Sequence, residues 1–342
     1  SGSKLVKFSF PNISKNCILE YKYKKIVYSI FSGDYWQIQN YEMPTLKNQY
    51  LLMVPKILST SKVYGGAELN WNAKPYNYNF DAKPVPVMTA GNKTYTEWII
   101  TDIPEFKPEA KMPPIRSCIT HVRFMRNDIK DWDELSEIFS SYIFPQLIIS
   151  EKVKSLADEL TKGKTSEMEK LLSIHNYVRK IRYLAISLGI GGFQPHTPDE
   201  VIEKGYGDCK DKAVLLIALL SAVNITAEPV LVLTRDKGEV DPKFPSQVFN
   251  HMITKVVVDN NKFFVDPTSR FTKIKELPWS DEDVFAFILK PTGPAKIERT
   301  PSSQSGDNTM NVDVVLNIND EMKVNVDFKV SSTGIQEYQS RY

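Results

Sequence analysis

Apolar positions follow two different periods along this chain of 342 residues, and the change comes near residue 131. Residues 8–115 are rich in Tyr, Val, Ile and Pro and fall into short alternating runs, among them Ile18-Leu19-Glu20-Tyr21-Lys22-Tyr23-Lys24, separated by turn residues. Alternation of that kind predicts strands with one buried face, and so a mostly β region. The run Asn70-Trp71-Asn72-Ala73-Lys74-Pro75-Tyr76-Asn77-Tyr78-Asn79-Phe80 interleaves aromatics with asparagine. A ligand platform would use such residues, but a half-buried strand needs them equally and is the commoner fate. Residues 103–114 carry prolines at a density that no regular helix could cross, which predicts a connector there.

Past residue 131 the period becomes helical. Residues 131–142 open a short amphipathic helix with Leu135, Ile138 and Phe139 on one face. Residues 151–160 set Val153, Leu156, Ala157 and Leu160 at helical spacing. Ser166 and Glu169 form a capping box ahead of a stripe of Met168, Leu171, Leu172, His175, Val178 and Ile181. Thr197, Pro198 and Glu200 start a further helix that Gly205 ends. Gly205-Tyr206-Gly207-Asp208-Cys209 then runs into residues 210–220, apolar on most faces, which predicts a buried helix with Asp208 as N-cap and Cys209 in the first turn. Strands follow at 228–234, 251–258 and 262–266, and Asp259-Asn260-Asn261 joins the last two as a hairpin. Residues 291–307 have linker composition. Beyond them Val312, Val314, Leu316 and Ile318 alternate, and so do Met322, Val324, Val326, Phe328 and Val330, which predicts a second hairpin. Two strands alone are marginal in water, so this piece is expected to dock on what precedes it or to begin a larger β domain.

Composition narrows the function classes. Hydrophobic residues at 42% and charged residues at 25% are ordinary globular values, which excludes a disordered chain. The length suggests about two or three domains. Lys+Arg 43 against Asp+Glu 41 leaves +2, without the basic excess of a nucleic-acid binder. The most apolar stretch, residues 213–223, falls short of the roughly 18 residues of a membrane span. The chain opens Ser1-Gly2-Ser3 without Met, which reads as a trimmed start from which any export signal has gone. Three cysteines, Cys17, Cys118 and Cys209, are too few for a disulfide framework, and the odd count leaves at least one free thiol.

Of the three, Cys209 has the setting for chemistry. A thiol is a nucleophile only as thiolate, and the unpaired N–H groups and positive end of a helix favour that anion. Lys210 and Lys212 add positive charge, whereas Asp208 opposes the thiolate, so an imidazole is needed as well. The first hairpin supplies one. If Asp259-Asn260 is a two-residue turn, Val258 pairs with Asn261 and Asp266 falls opposite Ile253. It is then the diagonal neighbour of His251 on the same face, roughly 7 Å away backbone to backbone. Cys209, His251 and Asp266 would be nucleophile, base and orienting carboxylate. The alternative is a small residue filling a helix start and two polar residues at strand edges. His175 lies on an apolar stripe and reads as a core histidine. Cys118 and His121 lack a second pair at metal-site spacing, so no metal is expected.

Tyr206-Gly207-Asp208-Cys209-Lys210-Asp211-Lys212, Phe249-Asn250-His251 and Phe264-Val265-Asp266-Pro267-Thr268 resemble, in order and spacing, the three blocks of the bacterial transglutaminase-like superfamily. The likeness covers residues 151–290 and includes His175-Asn176-Tyr177-Val178, Ile181-Arg182-Tyr183 and Gly191-Gly192-Phe193-Gln194-Pro195. The resemblance implies an α+β fold in three parts. Residues 1–148 would form a β-rich, sandwich-like domain, and residues 149–292 a papain-like core with the Cys helix on an antiparallel sheet. Residues 293–342 would be a linker and the hairpin that begins a third β domain. Cys209, His251 and Asp266 take the roles of nucleophile, base and orienter. The backbone N–H of Cys209 would be one oxyanion donor and the side chain of Gln194 is a candidate for the second, the alternative being a turn residue, with Asn250, Tyr206 and Asp208 shaping the site. The implied reaction is acyl transfer on peptide or protein amides through a thioester, without a cofactor, and hydrolysis is the default outcome. Cross-linking to an amine, or a non-catalytic protein- or glycan-binding module, are the alternatives. The resemblance also implies export to the periplasm or cell surface.

Overall fold

The computed structural model describes residues 7, 9–24, 34–41, 43–55, 71–76, 85–90, 93–126, 129, 131–185 and 192–341. Strands come first: β1 (Asp34–Gln37), β2 (Thr45–Pro55), β3 (Trp71–Tyr76), β4 (Val85–Ala90) and β5 (Lys93–Ile103), then one helical turn, α1 (Ile115–Cys118), and β6 (His121–Arg126). They make two three-stranded antiparallel sheets, in the orders β1-β6-β3 and β2-β5-β4. Trp36 and Val122 from the first meet Trp98, Ile100 and Ile103 from the second in one buried cluster, as the alternating runs require. Residues 18–24 depart from expectation. They are irregular, with Ile18 95% exposed, because alternation yields a strand only where another strand offers its edge, and none of the described strands pairs with them. Of the aromatic–asparagine run, residues 71–76 are β3, while Asn70 and residues 77–80 lie outside the described residues.

The helical half contains α2 (Trp132–Ile143), α3 (Glu151–Thr161), α4 (Glu167–Lys180), β7 (Arg182–Tyr183), α5 (Pro198–Lys204), β8 (Tyr206–Gly207) and α6 (Cys209–Ala222). Asp131, Ser150, Ser166, Thr197 and Asp208 each accept backbone N–H groups of the helix they precede. Such caps contribute about 1 kcal/mol apiece. Gly205 ends α5 in the left-handed region, φ 66°, where a side chain would be strained.

A five-stranded antiparallel sheet follows, made of β9 (Thr226–Val232), β10 (His251–Val258), β11 (Asn261–Val265), β12 (Phe285–Ile288) and β13 (Lys296–Arg299) in the order β11-β10-β9-β12-β13. Its two faces sort by alternation. Leu231, Met252, Phe285 and Phe287 pack against α2 and against Ala213 and Val214 of α6. Val230, Val232, Ile253, Phe264 and Ile288 face the other way, under Leu277 and Val284. The opposite side of α6 packs on α3 and α4 through Leu215, Leu216 and Leu219. Covered on both sides, α6 is buried from residue 210 to 220, which is why its sequence carries no polar face.

Two stretches outside residues 149–292 pack on this core. Helix α2 packs Trp132 on Phe285, ring centroids 5.0 Å apart, and the Trp132 indole donates to the Pro242 carbonyl at 2.7 Å. Strand β13 lies inside the stretch with linker composition. Lys-Ile-Glu-Arg at a sheet edge has little apolar alternation to announce it, and its place comes from pairing with β12. Beyond it, β14 (Met310–Ile318) and β15 (Val324–Ser332) pair over nine residues each, with every residue of β14 exposed. Helix α7 (Gly334–Gln339) then returns to the core, where Glu337 pairs with Lys273 at 2.7 Å and the Tyr338 hydroxyl accepts the Trp279 N–H at 3.2 Å. No described helix is long and apolar enough to cross a membrane.

Candidate active site

Cys209 is the first residue of α6, directly after its cap. The turn before it is tight. A Cβ at Gly207 would stand 2.7 Å from the Cβ of Asp211, closer than atoms tolerate, so only glycine fits there. Asp211 holds the turn by accepting the backbone N–H groups of Asp208 at 3.0 Å and His196 at 2.8 Å. Asp208 accepts the N–H groups of Lys210 at 3.1 Å and Asp211 at 3.3 Å, and its carboxylate pairs with the Lys210 ammonium in a buried ion pair. The positive charge expected beside the thiol is therefore spent elsewhere. Lys210 is matched by Asp208, and Lys212 donates to the carbonyls of Arg179 at 3.2 Å and Ile181 at 3.1 Å, closing the C-terminal end of α4. Burial pulls Lys212 down to about 8, against the attraction of Asp266.

His251 opens β10, and Asn250 fixes that opening. The Asn250 side chain accepts the Thr234 N–H at 2.9 Å and donates to the Thr234 hydroxyl at 2.8 Å, tying the start of β10 to the end of β9. The hairpin turns through Asp259 and Asn260, at φ 48° and 63°, and Val258 pairs with Asn261. That is the two-residue turn on which the facing of His251 and Asp266 depends. The register runs to Thr254 opposite Val265, and one step on, Asp266 Oδ2 lies 3.4 Å from His251 Nε2. Thr268 grips the same carboxylate, with its N–H 2.8 Å from Oδ1 and its hydroxyl 2.7 and 2.9 Å from the two oxygens. Behind it, buried His175 reaches the Asp266 carbonyl at 3.5 Å. The Cys209 thiol lies near enough to both His251 and the Tyr183 hydroxyl from β7 to shift their proton affinities.

The charges follow from these contacts. Burial disfavours an imidazolium at His251, but Asp266, Cys209 and Asp281 together outweigh it and hold its pKa well above the usual value. Burial also disfavours a carboxylate at Asp266, and His251 and Thr268 overcome that and hold it low. At Tyr183, burial and then the neighbouring Cys209 raise the pKa, so the hydroxyl keeps its proton.

A second carboxylate was not legible in the sequence. Asp281 ends a short 3-10 turn, Trp279–Asp281, and brings Oδ2 to 3.7 Å from His251 Nε2. It stands in Pro278-Trp279-Ser280-Asp281, a stretch with neither period nor motif. His251, Asp266 and Asp281 each bring one polar atom within 4.8 Å of the others, a spacing that suits a shared proton or a metal ion. Tyr183 and Thr268 lie in quoted sequence blocks, but their contacts depend on how β7 and the turn after β11 fold back. Gln194 is half-buried in the turn before α5 and has no hydrogen-bond partner among the described residues, while its neighbour Phe193 packs on the cluster that Cys209 touches. Gly191 lies outside the described residues. Tyr206 is in β8, pairing with β7. His121 Nδ1 meets the Ile119 carbonyl at 2.9 Å and the Cys118 thiol the Pro113 carbonyl at 3.8 Å.

A hollow of 330 Å³ opens beside His251 and Asp266, with Tyr183, Asn250, Ser280 and Tyr338 among its walls. Larger hollows of 390 and 550 Å³ lie elsewhere, and neither is lined by a cysteine or a histidine. Chemistry rather than volume marks the site.

Residues 154–267 match the family model of the transglutaminase-like superfamily, and this stretch is a transglutaminase-like core. The match holds the thiol, the imidazole and the carboxylate. Among solved structures, one from Parabacteroides distasonis, provisionally named a protease, has 17% identity and a TM-score of 0.58, covering 86% of this chain and 55% of that one. That likeness is one of fold, and this chain spans little more than half of its relative. A provisionally named cysteine protease from Cytophaga hutchinsonii has 13% identity, coverage of 88% and 89%, and a TM-score of 0.32. The periplasmic domain of TgpA from Pseudomonas aeruginosa has 15% identity, coverage of 68% and 72%, and a TM-score of 0.26. At those scores neither enters the argument. No curated protein matches the chain.

Proposed function

We propose that this chain is a thiol acyl-transfer enzyme that hydrolyses peptide or protein amides through Cys209, His251 and Asp266. One observation carries the reading: His251, its basicity raised by Asp266 and by the nearby Cys209 thiol, lies 3.4 Å from the Asp266 carboxylate, and both line an open hollow. The raised basicity of His251 favours an imidazolium–thiolate pair before substrate arrives. The thiolate attacks the amide carbon. Collapse of the tetrahedral intermediate breaks the C–N bond as His251 gives its proton to the leaving amine, and a thioester remains on Cys209. Water then loses a proton to His251 and attacks the thioester, and the second collapse frees the acid and restores the thiol. Asp266, gripped by Thr268, keeps the imidazole turned to Cys209 and offsets its charge. The backbone N–H of Cys209 is the first oxyanion donor, and Gln194, with its amide unpartnered among the described residues, is the second. Asn250, Tyr206 and Asp208 hold the shape of the site.

The transglutaminase-like core at 154–267 supports acyl transfer as the reaction class. An exported setting, periplasmic or cell-surface, belongs to the proposal. So does the division into a β-rich part, a core and a terminal hairpin, with α2 and β13 counted in the core whose cluster and sheet they join.

Alkylation by iodoacetamide near neutral pH tests the site, with exposed Cys17 as internal standard. Cys209 is expected to react faster than Cys17, and His251→Ala to remove the advantage. A peptide-library digest should show cleavage that Cys209→Ala abolishes. Equal reactivity of the two thiols with no effect of His251→Ala would sink the reading. Incorporation of a labelled amine in excess of hydrolysis would turn it into cross-linking.

A further inference from the structure

We propose that Asp281 is a positioning residue of this site, sharing one proton with Asp266 and so setting how firmly His251 holds its own. The inference rests on the Cys209–His251–Asp266 reading. Its geometry is specific. Asp266 and Asp281 approach the same ring nitrogen, at 3.4 and 3.7 Å, and their side chains are 4% and 1% exposed. Two carboxylates within 4.8 Å of each other in a dry site repel, and the single imidazolium of His251 can offset only one of them, so the trio favours one proton held in common.

The open oxygen of Asp281 is the one turned inward. Its Oδ1 takes the Ser280 hydroxyl at 3.0 Å, whereas buried Oδ2, the atom facing His251, has no hydrogen-bond partner of ordinary geometry. A buried acceptor left in that condition is costly unless a proton or a charge meets it. The backbone is anchored as well. The Thr300 hydroxyl donates to the Asp281 carbonyl at 2.6 Å and accepts the Val284 N–H at 2.9 Å, so the residue that follows β13 locks the turn against β12.

Burial, and then the nearby Asp266, push Asp281 up to about 7, which puts its proton in exchange at neutral pH. His251 from β10, Asp266 after β11 and the neighbouring Ser280 hydroxyl face it directly, while Cys209 and Lys212 from α6 and Tyr183 from β7 act through His251 and Asp266. Ionised, Asp281 adds a second negative charge beside the imidazole and strengthens the imidazolium. Protonated, it donates to Asp266 and weakens that pull.

The experiment follows the His251 ring by NMR in the Cys209→Ala chain, where only four histidines need assignment. Asp281→Asn is expected to lower the His251 midpoint by about one pH unit, roughly tenfold in proton affinity. An unchanged midpoint in Asp281→Asn, beside a lowered one in Asp266→Asn, overturns the role of Asp281 and leaves the triad standing. If neither substitution moves the midpoint, the triad reading itself fails. Should Asp281→Asn not fold, carboxyl carbon shifts of the Cys209→Ala chain serve instead. One aspartate titrating near neutrality is expected, and titration of every aspartate below about pH 5 overturns the proposal.

Discussion

The hairpin of β10 and β11 and the hairpin of β14 and β15 share a two-residue period, antiparallel pairing and a short polar turn. In the first, α6 covers one face and the segment carrying Leu277 and Val284 covers the other. In the second, Val312, Val314, Leu316 and Ile318 lie opposite Val330, Phe328, Val326 and Val324, and this all-apolar face stands in the open, with Phe328 72% exposed. Alternation therefore tells which residues pair and which share a face. It does not tell whether a third element arrives to cover them. Only the covered hairpin can hold an imidazole and a carboxylate at fixed separation, because close packing is what removes the alternative rotamers.

Substitution separates the two most sharply. Ile253→Ala, at a fully buried position of the first hairpin, should cost about 2–5 kcal/mol in urea unfolding, whereas Val326→Ala should stay within about 0.5 kcal/mol. Equal losses would mean that the outer hairpin is covered in solution, and the contrast would fall.

Acid comes next. Burial pulls His175, which backs Asp266, down to about 4, so below its unfolded value of 6.5 the unfolded chain takes up a proton that the folded chain refuses. Stability tied to the neutral ring is complete above pH 6.5 and is lost as pH falls towards 4, by up to about 3 kcal/mol. Thermal melts across that window should show the slope, and His175→Gln should flatten it.

Thr268→Val removes the two hydroxyl contacts to the Asp266 carboxylate and keeps the backbone N–H contact. A cost of about 1–2 kcal/mol is expected, with alkylation of Cys209 slowed towards the rate of Cys17. Unchanged reactivity would show that the strand alone orients the carboxylate. Smallest is the turn. Asn260→Ala, at φ 63°, should cost about 1 kcal/mol in the same unfolding assay, and Asn260→Gly should be neutral or better.

Local chemistry was legible in the sequence, and long-range company was not. Caps at Ser166, Thr197 and Asp208, the stop at Gly205 and the register of the first hairpin all follow from residues within a few positions of one another. The pairing of Lys210 with Asp208 is equally local, yet a lysine beside a thiol does not itself show whether an adjacent carboxylate neutralises it. Asp281 was out of reach, since nothing in its own segment says that the turn folds under β10. Residues 18–24 show the converse, with a strand pattern and no partner strand among the described residues. In β13, composition pointed to a linker while the edge of β12 supplied the partner.

The contact at Gly207 has a practical side for anyone reshaping substrate preference. One extra carbon there meets Asp211, and the loop, the cap and the thiol would have to move together. Loop grafting or randomisation in the turn before α6 would inactivate before it diversified. The wall of the hollow at Tyr338, on α7, stands apart from that turn and is where new side chains can be tried.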